Sequence, residues 1–129
     1  MKNFYKNIFE EINNILNQTD YVTLEKVTKL LISTNKKNKK VIIFGNGGSA
    51  AISSHVSVDL TKNARIRSIN FNEADLLTCF SNDYGYEKVF SKSLEFYADK
   101  GDLVIIVSAS GRSKNLIEAA KICKKNKIF

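Results

Sequence analysis

The sequence predicts an α/β protein, a three-layer αβα sandwich built around a parallel sheet. Three segments with strand-like composition, residues 41–44, 65–71 and 103–107, are each followed by a segment with helical periodicity. Residues 103–107 are uniformly apolar, which is typical of a strand that helices cover on both faces. Strands that alternate with helices favour a parallel sheet with right-handed crossovers. The length of 129 residues suits a single domain with its own hydrophobic core.

Two amphipathic helices are expected ahead of the first strand. Apolar residues recur at helical spacing over residues 4–17, and again over residues 23–34, where Thr23 is the predicted N-cap. The residues expected to face inward on the second helix are Leu24, Val27, Leu30 and Leu31. Because both helices precede the sheet, they cannot both be crossovers within it. We therefore expect residues 1–38 to form a helical pair that joins subunits, and residues 39–129 to form the α/β part.

Three further helices are expected to follow the strands, over residues 49–62, 86–97 and 113–125. The segment of the second strand is expected to continue through residues 74–80. A turn at residues 82–85 is then predicted before the middle helix, because Asn82, Asp83 and Gly85 are residue types that favour turns.

A glycine-rich loop joins the first strand to its helix. Gly45, Asn46, Gly47 and Gly48 follow the strand, and Ser49 opens the helical pattern. Glycines allow a ligand to approach the backbone closely, and the free N–H groups at a helix start favour negative charge. This loop, residues 45–49, therefore predicts a site for a phosphate-bearing ligand.

A second loop of different composition follows the third strand. Its sequence over residues 108–113 is Ser108-Ala109-Ser110-Gly111-Arg112-Ser113, and it also leads into a helix. The carboxyl ends of parallel strands meet at one edge of the sheet, so the 45–49 and 108–113 loops should converge on one crevice. Helix capping alone would explain one of these serines but not all three.

The only histidine in the sequence, His55, lies four residues before Asp59 on the first of these helices. That spacing places both side chains on one helix face. An imidazole and a carboxylate so arranged can bind a zinc-like ion or transfer protons, although a solvent-facing pair is the commoner arrangement. Asp83 has two interpretations, a turn-forming residue or a ligand contact.

A dinucleotide site is the main alternative for the 45–49 loop. Gly45, Gly47 and Ala50 fit the G-x-G-x-x-G/A pattern. That pattern needs an acidic residue at the end of the second strand, where Ile69, Asn70 and Phe71 stand instead. The loop is not a Walker A sequence, because no Lys-Ser or Lys-Thr follows the glycines.

The formal charge of +7 raises the question of nucleic-acid binding. The clustered lysines are Lys36, Lys37, Lys39 and Lys40, and Lys121, Lys124, Lys125 and Lys127. They lie at expected helix ends, where lysine is favourable, and no aromatic residues alternate with them to stack on bases. No apolar run has membrane-spanning length and the start is not a signal peptide, so we expect a cytoplasmic protein with no nucleic-acid or membrane partner. Cys79 and Cys123 lack metal-ligand spacing and are expected to be reduced thiols.

These motifs together resemble the sugar isomerase (SIS) domain family and, within it, the phosphoheptose isomerases. The segments that carry the resemblance are Gly45-Asn46-Gly47-Gly48-Ser49-Ala50-Ala51, His55 with Asp59, Asn82-Asp83-Tyr84-Gly85-Tyr86-Glu87, and Ser108-Ala109-Ser110-Gly111-Arg112-Ser113-Lys114-Asn115. The resemblance runs from the N-terminal helices to the end of the chain. It implies a flavodoxin- or Rossmann-like sandwich, a homotetramer, and isomerisation of sedoheptulose 7-phosphate through an enediol, for the heptoses of bacterial surface polysaccharides.

The resemblance also implies roles for individual residues. His55 and Asp59 would be the catalytic residues and would also bind one zinc ion per subunit. The phosphate would be held by Ser108, Ser110 and Ser113. The full set of implied substrate contacts is Asn46, Gly47, Gly48, Ser49, Asp83, Ser108, Ala109, Ser110 and Ser113.

The chain departs from the family pattern at three positions and at its end. Asp59 stands where the family usually has Glu, Ala109 stands where it has Thr, and Asn63 lies near a family Arg. The family continues past residues 127–129 into further strands and a helix, whose Gln and His complete the metal and acid–base site. A non-catalytic sugar-phosphate binding module is the alternative function, because binding needs the two loops and not that Gln and His.

Overall fold

The structure is a computed structural model that describes residues 1–126 and 128, apart from the side chain of Lys2. Its elements in chain order are α1 (Lys2–Asn17), α2 (Tyr21–Lys36), β1 (Val41–Gly45), α3 (Gly48–Lys62), β2 (Ser68–Ile69), α4 (Ala74–Tyr84), α5 (Val89–Tyr97), β3 (Leu103–Val107) and α6 (Lys114–Asn126). A 3-10 turn, Tyr86–Lys88, connects α4 to α5. The further strand expected to begin at residues 127–129 falls on residues 127 and 129, which lie outside the described residues.

The described residues form a parallel sheet of three strands in the order β2-β1-β3. β1 pairs with β3 along its whole length, from Val41 opposite Leu103 to Gly45 opposite Val107. The pairing of β1 with β2 is confined to two positions. Every residue of β1 is buried, as expected for the central strand. The parallel pairing places the carboxyl ends of β1 and β3 side by side, which is the arrangement that the sequence predicted.

Helices cover both faces of this sheet. On one face Ile42 and Phe44 of β1 pack against α4, α5 and α6, and the Phe44 ring stacks on Phe90 with centroids 4.7 Å apart. On the other face Val41 packs with Leu31 of α2 and Leu60 of α3. The three-layer αβα sandwich is thus confirmed, with the core divided by the sheet.

The second strand is shorter than predicted. It covers Ser68–Ile69 instead of residues 65–71, because Arg65 has a φ of 57°, in the left-handed region that an extended strand excludes. The N–H of Ile66 donates to the carbonyl oxygen of Leu60 at 2.9 Å, so this stretch stays attached to the end of α3. Only the middle of the predicted segment reaches the sheet.

Helix α4 occupies the segment for which a strand continuation and a turn were predicted. The prediction was wrong because Leu76, Leu77 and Phe80, at helical spacing, pack against the core and override the turn-forming residues that follow them. The helix continues through Asp83 to Tyr84 and ends at Gly85, whose φ of 83° suits glycine.

The N-cap of α2 is Asp20 and not Thr23. The Asp20 carboxylate accepts hydrogen bonds from the N–H groups of Val22 at 3.0 Å and Thr23 at 3.1 Å. The same carboxylate accepts a 2.6 Å bond from the Thr23 hydroxyl. An aspartate one residue ahead of the helix satisfies two orphan N–H groups, so α2 starts earlier than predicted.

The two N-terminal helices expose most of their apolar residues. On α2, Leu31 is half-buried and packs beneath the sheet. Leu24, Val27 and Leu30 are 52%, 38% and 45% exposed. The prediction that these three side chains face inward is therefore wrong for the single chain. On α1 the exposed apolar residues are Phe4, Tyr5, Ile8, Phe9, Ile12, Ile15 and Leu16. None of the helices described here is long and apolar enough to cross a membrane.

Candidate phosphate-binding crevice

The two predicted loops line one cavity at the carboxyl edge of the sheet. The cavity has a volume of about 190 Å³ and is called the crevice below. Its lining residues are Asn46, Ser49, Val107, Ser108, Ala109, Ser110, Ser113 and Leu116. The 45–49 and 108–113 loops therefore converge, and seven of these eight residues (all but Leu116) belong to the loops or to the strand end between them.

The 45–49 loop comes close to β3 because its first residue has no side chain. A Cβ on Gly45 would lie 2.6 Å from the carbonyl oxygen of Val107 and 2.7 Å from the Cβ of Ser49. Gly47, with a φ of 54°, then turns the chain into α3. The carbonyl oxygens of Asn46 and Gly47 accept the N–H groups of Ser49 and Ala50. Within the described residues no protein acceptor is paired with the exposed N–H groups of Gly47 and Gly48, which are thus open to a ligand.

Serine side chains shape the 108–113 loop. The Ser108 hydroxyl oxygen accepts the N–H of Gly111 at 3.0 Å, and the Ser110 hydroxyl oxygen accepts the N–H of Arg112 at 3.2 Å. A hydroxyl that accepts one bond can still donate its own hydrogen, so both serines can donate to an anion. Ser113 immediately precedes α6, and its carbonyl oxygen accepts the N–H groups of the first helical turn.

Asparagine side chains connect the two loops. Asn46 and Asn115 form two reciprocal bonds, from Asn46 Nδ2 to Asn115 Oδ1 at 3.0 Å and from Asn115 Nδ2 to Asn46 Oδ1 at 2.9 Å. The Tyr86 hydroxyl donates to the same Asn46 Oδ1 at 3.0 Å. One carboxamide thus contacts the start of α6 and the 3-10 turn. Beside it, Lys114 and Glu87 form an exposed ion pair at 3.0 Å.

His55 and Asp59 lie together on an exposed face of α3. Nε2 of His55 is 3.3 Å from Oδ2 of Asp59, and their side chains are 78% and 49% exposed. Asp59 Oδ1 accepts a 3.0 Å bond from Asn63, which orients the carboxylate. Neither residue lines the crevice. No group of three His, Cys, Asp or Glu side chains suited to a metal ion occurs in the described part of the chain. His55 and Asp59 could therefore supply two ligands to a metal ion, with no third such side chain beside them.

Comparison with known families decides the identity of this fold. Residues 3–128 match the model of the SIS domain family. The chain belongs to the SIS domain family. The resemblance seen in the glycine and serine motifs is therefore confirmed, and the crevice lies in an SIS domain.

Curated relatives of this SIS domain are named phosphoheptose isomerase. The protein from Campylobacter concisus is 39% identical over 129 residues, covering 94% of this chain and 65% of the relative. The protein from Aliarcobacter butzleri is 38% identical over 107 residues, covering 78% of this chain and 57% of the relative. The chain therefore spans about 57–65% of the length of these curated relatives.

Solved structures confirm the fold class. Phosphoheptose isomerase GmhA from Neisseria gonorrhoeae is similar with a TM-score of 0.88 at 26% identity, covering 98% of this chain and 71% of that one. A phosphoheptose isomerase from Francisella tularensis also has a TM-score of 0.88, at 20% identity and covering 69% of that chain, and shows the fold alone.

Asp83, a predicted substrate contact, stands apart from the crevice of this SIS domain. It lies in the last turn of α4, where its carboxylate accepts a 3.0 Å bond from Asn82. Its other oxygen is 3.7 Å from Sγ of Cys79. Desolvation, followed by the charge and hydrogen bond of Asp83, raises the pKa of the exposed Cys79 thiol above its usual range.

The sequence alone predicted no role for Asn115, Tyr86 or Asn63. Asn63 follows Asp59 by four residues, a spacing that would have indicated contact on a helix. Asn115 is the first residue on the buried face of α6, followed by Ala119 and Cys123 at i+4 and i+8. A single Asn on an apolar face indicates a buried hydrogen bond, but the sequence does not name its partner.

Proposed function

We propose that this chain carries the sugar-phosphate site of a phosphoheptose isomerase, which interconverts sedoheptulose 7-phosphate and D-glycero-D-manno-heptose 7-phosphate. The convergence of the 45–49 and 108–113 loops on one crevice is the observation that carries this proposal. Its curated relatives from Campylobacter concisus and Aliarcobacter butzleri are named phosphoheptose isomerase, which supports it. The product would serve the synthesis of heptoses for bacterial surface polysaccharides, in the cytoplasm.

The phosphate would be bound without a buried lysine. Ser108, Ser110 and Ser113 line the crevice and can donate hydroxyl hydrogens. Gly47 and Gly48 lie outside its lining, at the start of α3 next to Ser49, and their N–H groups have no acceptor among the described residues, so they could also donate to the ligand. The positive ends of the dipoles of α3 and α6 both lie at this edge, where they favour a dianion. Such a site would select its ligand by shape, because each hydrogen-bond donor is fixed on the backbone or on a short side chain.

Proton transfer would fall to the carboxylate of Asp59. As general base it would take the proton from the carbon next to the carbonyl group, giving an enediol, and return it to the adjacent carbon. His55, 3.3 Å away, would exchange a proton with the substrate oxygens. Asn63 holds the Asp59 carboxylate in place through the 3.0 Å bond to Oδ1.

Zinc is proposed as the cofactor, and His55 and Asp59 fit two of its ligands. Imidazole nitrogen and carboxylate oxygen are ordinary zinc donors, with bonds of about 2.0–2.2 Å. Two ligands at tetrahedral angles on such bonds lie roughly 3.3–3.5 Å apart, and the Nε2 to Oδ2 distance is 3.3 Å. When bound, the ion would polarise the substrate carbonyl.

A homotetramer joined through the N-terminal helices is proposed as the assembly. The apolar face of α1 is exposed in the single chain, with Phe9 67% and Ile15 62% exposed. An apolar helix face of this size marks an interaction site in a protein that remains in solution. Burial between subunits would remove it from water.

Calorimetry with Ser110→Ala and Ser113→Ala tests the proposed function. Titration of sedoheptulose 7-phosphate should give an affinity reduced by about 5- to 30-fold in each variant, because a hydrogen bond to a charged group is lost. Thr28→Ala removes an exposed hydroxyl on α2, which hydrogen-bonds within its own helix, and should bind as the wild type does. Unchanged affinity in both serine variants would contradict the proposal.

A non-catalytic sugar-phosphate binding module is the second candidate function. The observation that favours it is that the crevice is lined within this chain, whereas His55 and Asp59 lie outside its lining. Tight binding of sedoheptulose 7-phosphate without formation of the aldose, followed by NMR of the sugar carbons, would select this alternative.

A further inference from the structure

The Asn46 carboxamide is almost fully engaged inside the protein, although it lines the crevice. Its Oδ1 accepts two hydrogen bonds, from Asn115 Nδ2 at 2.9 Å and from the Tyr86 hydroxyl at 3.0 Å. A carbonyl oxygen has two lone pairs, so this acceptor is saturated. Its Nδ2 donates one hydrogen to Asn115 at 3.0 Å. Among the described residues, the second Nδ2 hydrogen of Asn46 has no protein acceptor.

The orientation of this amide pair is set by the backbone of α6. The N–H of Leu116 is shared between two acceptors, Oδ1 of Asn115 at 3.0 Å and the carbonyl oxygen of Ser113 at 3.1 Å. A backbone N–H can only donate, so the oxygen of Asn115 must face it and its nitrogen must lie on the other side. The reciprocal pairing then fixes the Asn46 oxygen toward Asn115 Nδ2. Asn115 is only 3% exposed, so water does not compete for these bonds.

We propose that Asn115, assisted by Tyr86, is a positioning residue that orients the Asn46 carboxamide so that only an N–H donor remains for the ligand in the crevice. Asn46 would then recognise an acceptor oxygen of the sugar and reject a hydroxyl hydrogen at that point. This rests on the proposed function, since it takes the ligand of the crevice to be a sugar phosphate. In the substrate contact expected for Asn46, its Nδ2 would therefore donate a hydrogen bond, and its Oδ1 would accept none.

The network also connects the 45–49 loop to the start of α6 and to the 3-10 turn. Asn46 and Asn115 are 69 residues apart in the sequence, and their paired bonds join the 45–49 loop to the start of α6. Tyr86 adds the 3-10 turn, which the Lys114–Glu87 ion pair links to α6 a second time. Loss of the amide pair should therefore release Asn46 while the serines of the 108–113 loop keep their own bonds.

Two variants and one matched control test the positioning role. Asn115→Leu removes both reciprocal bonds at similar volume, and Tyr86→Phe removes one hydroxyl and nothing else. Tyr84→Phe is the control, because Tyr84 is an exposed tyrosine whose ring contacts Phe80 and Lys92 and whose hydroxyl makes no hydrogen bond to the described residues. Thermal unfolding identifies a variant that does not fold. If Asn115→Leu fails to fold, Tyr86→Phe still tests the network.

The first readout needs no ligand. In the ¹H–¹⁵N spectrum of the uniformly labelled chain, the Asn46 side-chain amide signals are identified by their loss in Asn46→Asp. They should shift and exchange faster with water in Asn115→Leu and Tyr86→Phe, and stay unchanged in Tyr84→Phe. Wild-type shifts and exchange rates in both test variants would overturn the proposal whatever the ligand is.

The second readout separates positioning of Asn46 from damage to the phosphate loop. By calorimetry, Asn115→Leu should bind sedoheptulose 7-phosphate about 10-fold more weakly and Tyr86→Phe about threefold more weakly. Both should bind inorganic phosphate within about twofold of the wild type, because the serines hold the phosphate. Equal loss for the two probes would mean that Asn115 only supports the loop, and would overturn the positioning role. A wild-type chain that binds neither probe would contradict the proposed function and the donor contact. The NMR experiment would then still test whether Asn115 and Tyr86 orient the Asn46 amide.

Discussion

The carbonyl oxygen of Val107 lies 2.6 Å from the point that a Cβ on Gly45 would occupy. Nothing larger than hydrogen fits between the end of β1 and the end of β3 without moving one of them. This contact brings the 45–49 loop beside the 108–113 loop. The crevice therefore depends on a glycine that does not itself line it.

Replacing Gly45 with alanine should destabilise the protein. The added methyl group would overlap backbone, which cannot move as a flexible side chain does, and we expect a loss of about 2–3 kcal/mol in the free energy of unfolding. Urea unfolding followed by circular dichroism measures it.

The control for that measurement is Gly48→Ala. A Cβ on Gly48 meets nothing within 4 Å, and the residue opens α3 with a negative φ. Alanine there should raise stability by about 0.5–1 kcal/mol. A Gly45→Ala variant as stable as Gly48→Ala would show that the close approach to Val107 is absent in solution.

Zinc binding should depend on the pair on α3. We expect zinc content per subunit, measured by mass spectrometry after dialysis against a zinc buffer, to fall sharply in the His55→Ala, Asp59→Ala double variant. Asp75→Ala is the control, because it removes an exposed carboxylate on α4. Equal zinc in the wild type and the double variant would rule out these residues as ligands.

The apolar face of α1 should hold subunits together. Ile12→Glu places a charge near the middle of this face, and we expect the assembly to dissociate in sedimentation velocity experiments, because burying an unpaired carboxylate is strongly unfavourable. Asn14→Glu puts the same side chain on the opposite face of the same helix and should leave the assembly intact. An Ile12→Glu variant that sediments as the wild type does would place the interface elsewhere.

The parts of the fold that the sequence predicted well are those with strong local patterns. β3 was predicted to the residue, because Leu103–Val107 is an uninterrupted apolar run between polar loops. β2 was too long in the prediction, because strand pairing at Ser68 and Ile69 depends on β1 and not on local composition. The loop positions were predictable for the same reason as β3, since glycine and serine clusters mark loops directly.

The side-chain network of the site could not be predicted in the same way. The pairing of Asn46 with Asn115 spans 69 residues, and no local pattern records which two amides meet. The predicted pair of His55 and Asp59 did meet, because a helix fixes residues four apart without help from the rest of the fold. Contacts within one helix follow from sequence, whereas contacts between loops follow from the packing of the sheet.

At the opposite edge of the sheet, a buried ion pair should stabilise the fold. Asp102, 1% exposed, accepts the Lys40 N–H at 3.0 Å, the Asp99 N–H at 2.8 Å and the Lys40 Nζ at 2.6 Å. Asp102→Asn leaves the Lys40 charge without its buried partner and should lower the free energy of unfolding by roughly 3 kcal/mol. Asp99→Asn removes a partner whose side chain is 71% exposed and should have a much smaller effect. Equal decreases in the free energy of unfolding of the two variants would show that the buried Asp102 stabilises the fold no more than the exposed Asp99 does.

The same pair should make stability fall at alkaline pH. Burial acts to lower the pKa of Lys40, but the hydrogen bonds and charges of Asp102 and Asp99 outweigh it and raise that pKa above its usual range. A raised folded-state pKa means that the native protein holds the proton more tightly than the unfolded chain does. This stabilisation is complete below the unfolded-state pKa, about 10.4, and is lost as the pH rises through the higher folded-state value. Urea unfolding across this range should therefore show the difference between wild type and Asp102→Asn shrinking as pH increases, and a constant difference would contradict the pairing.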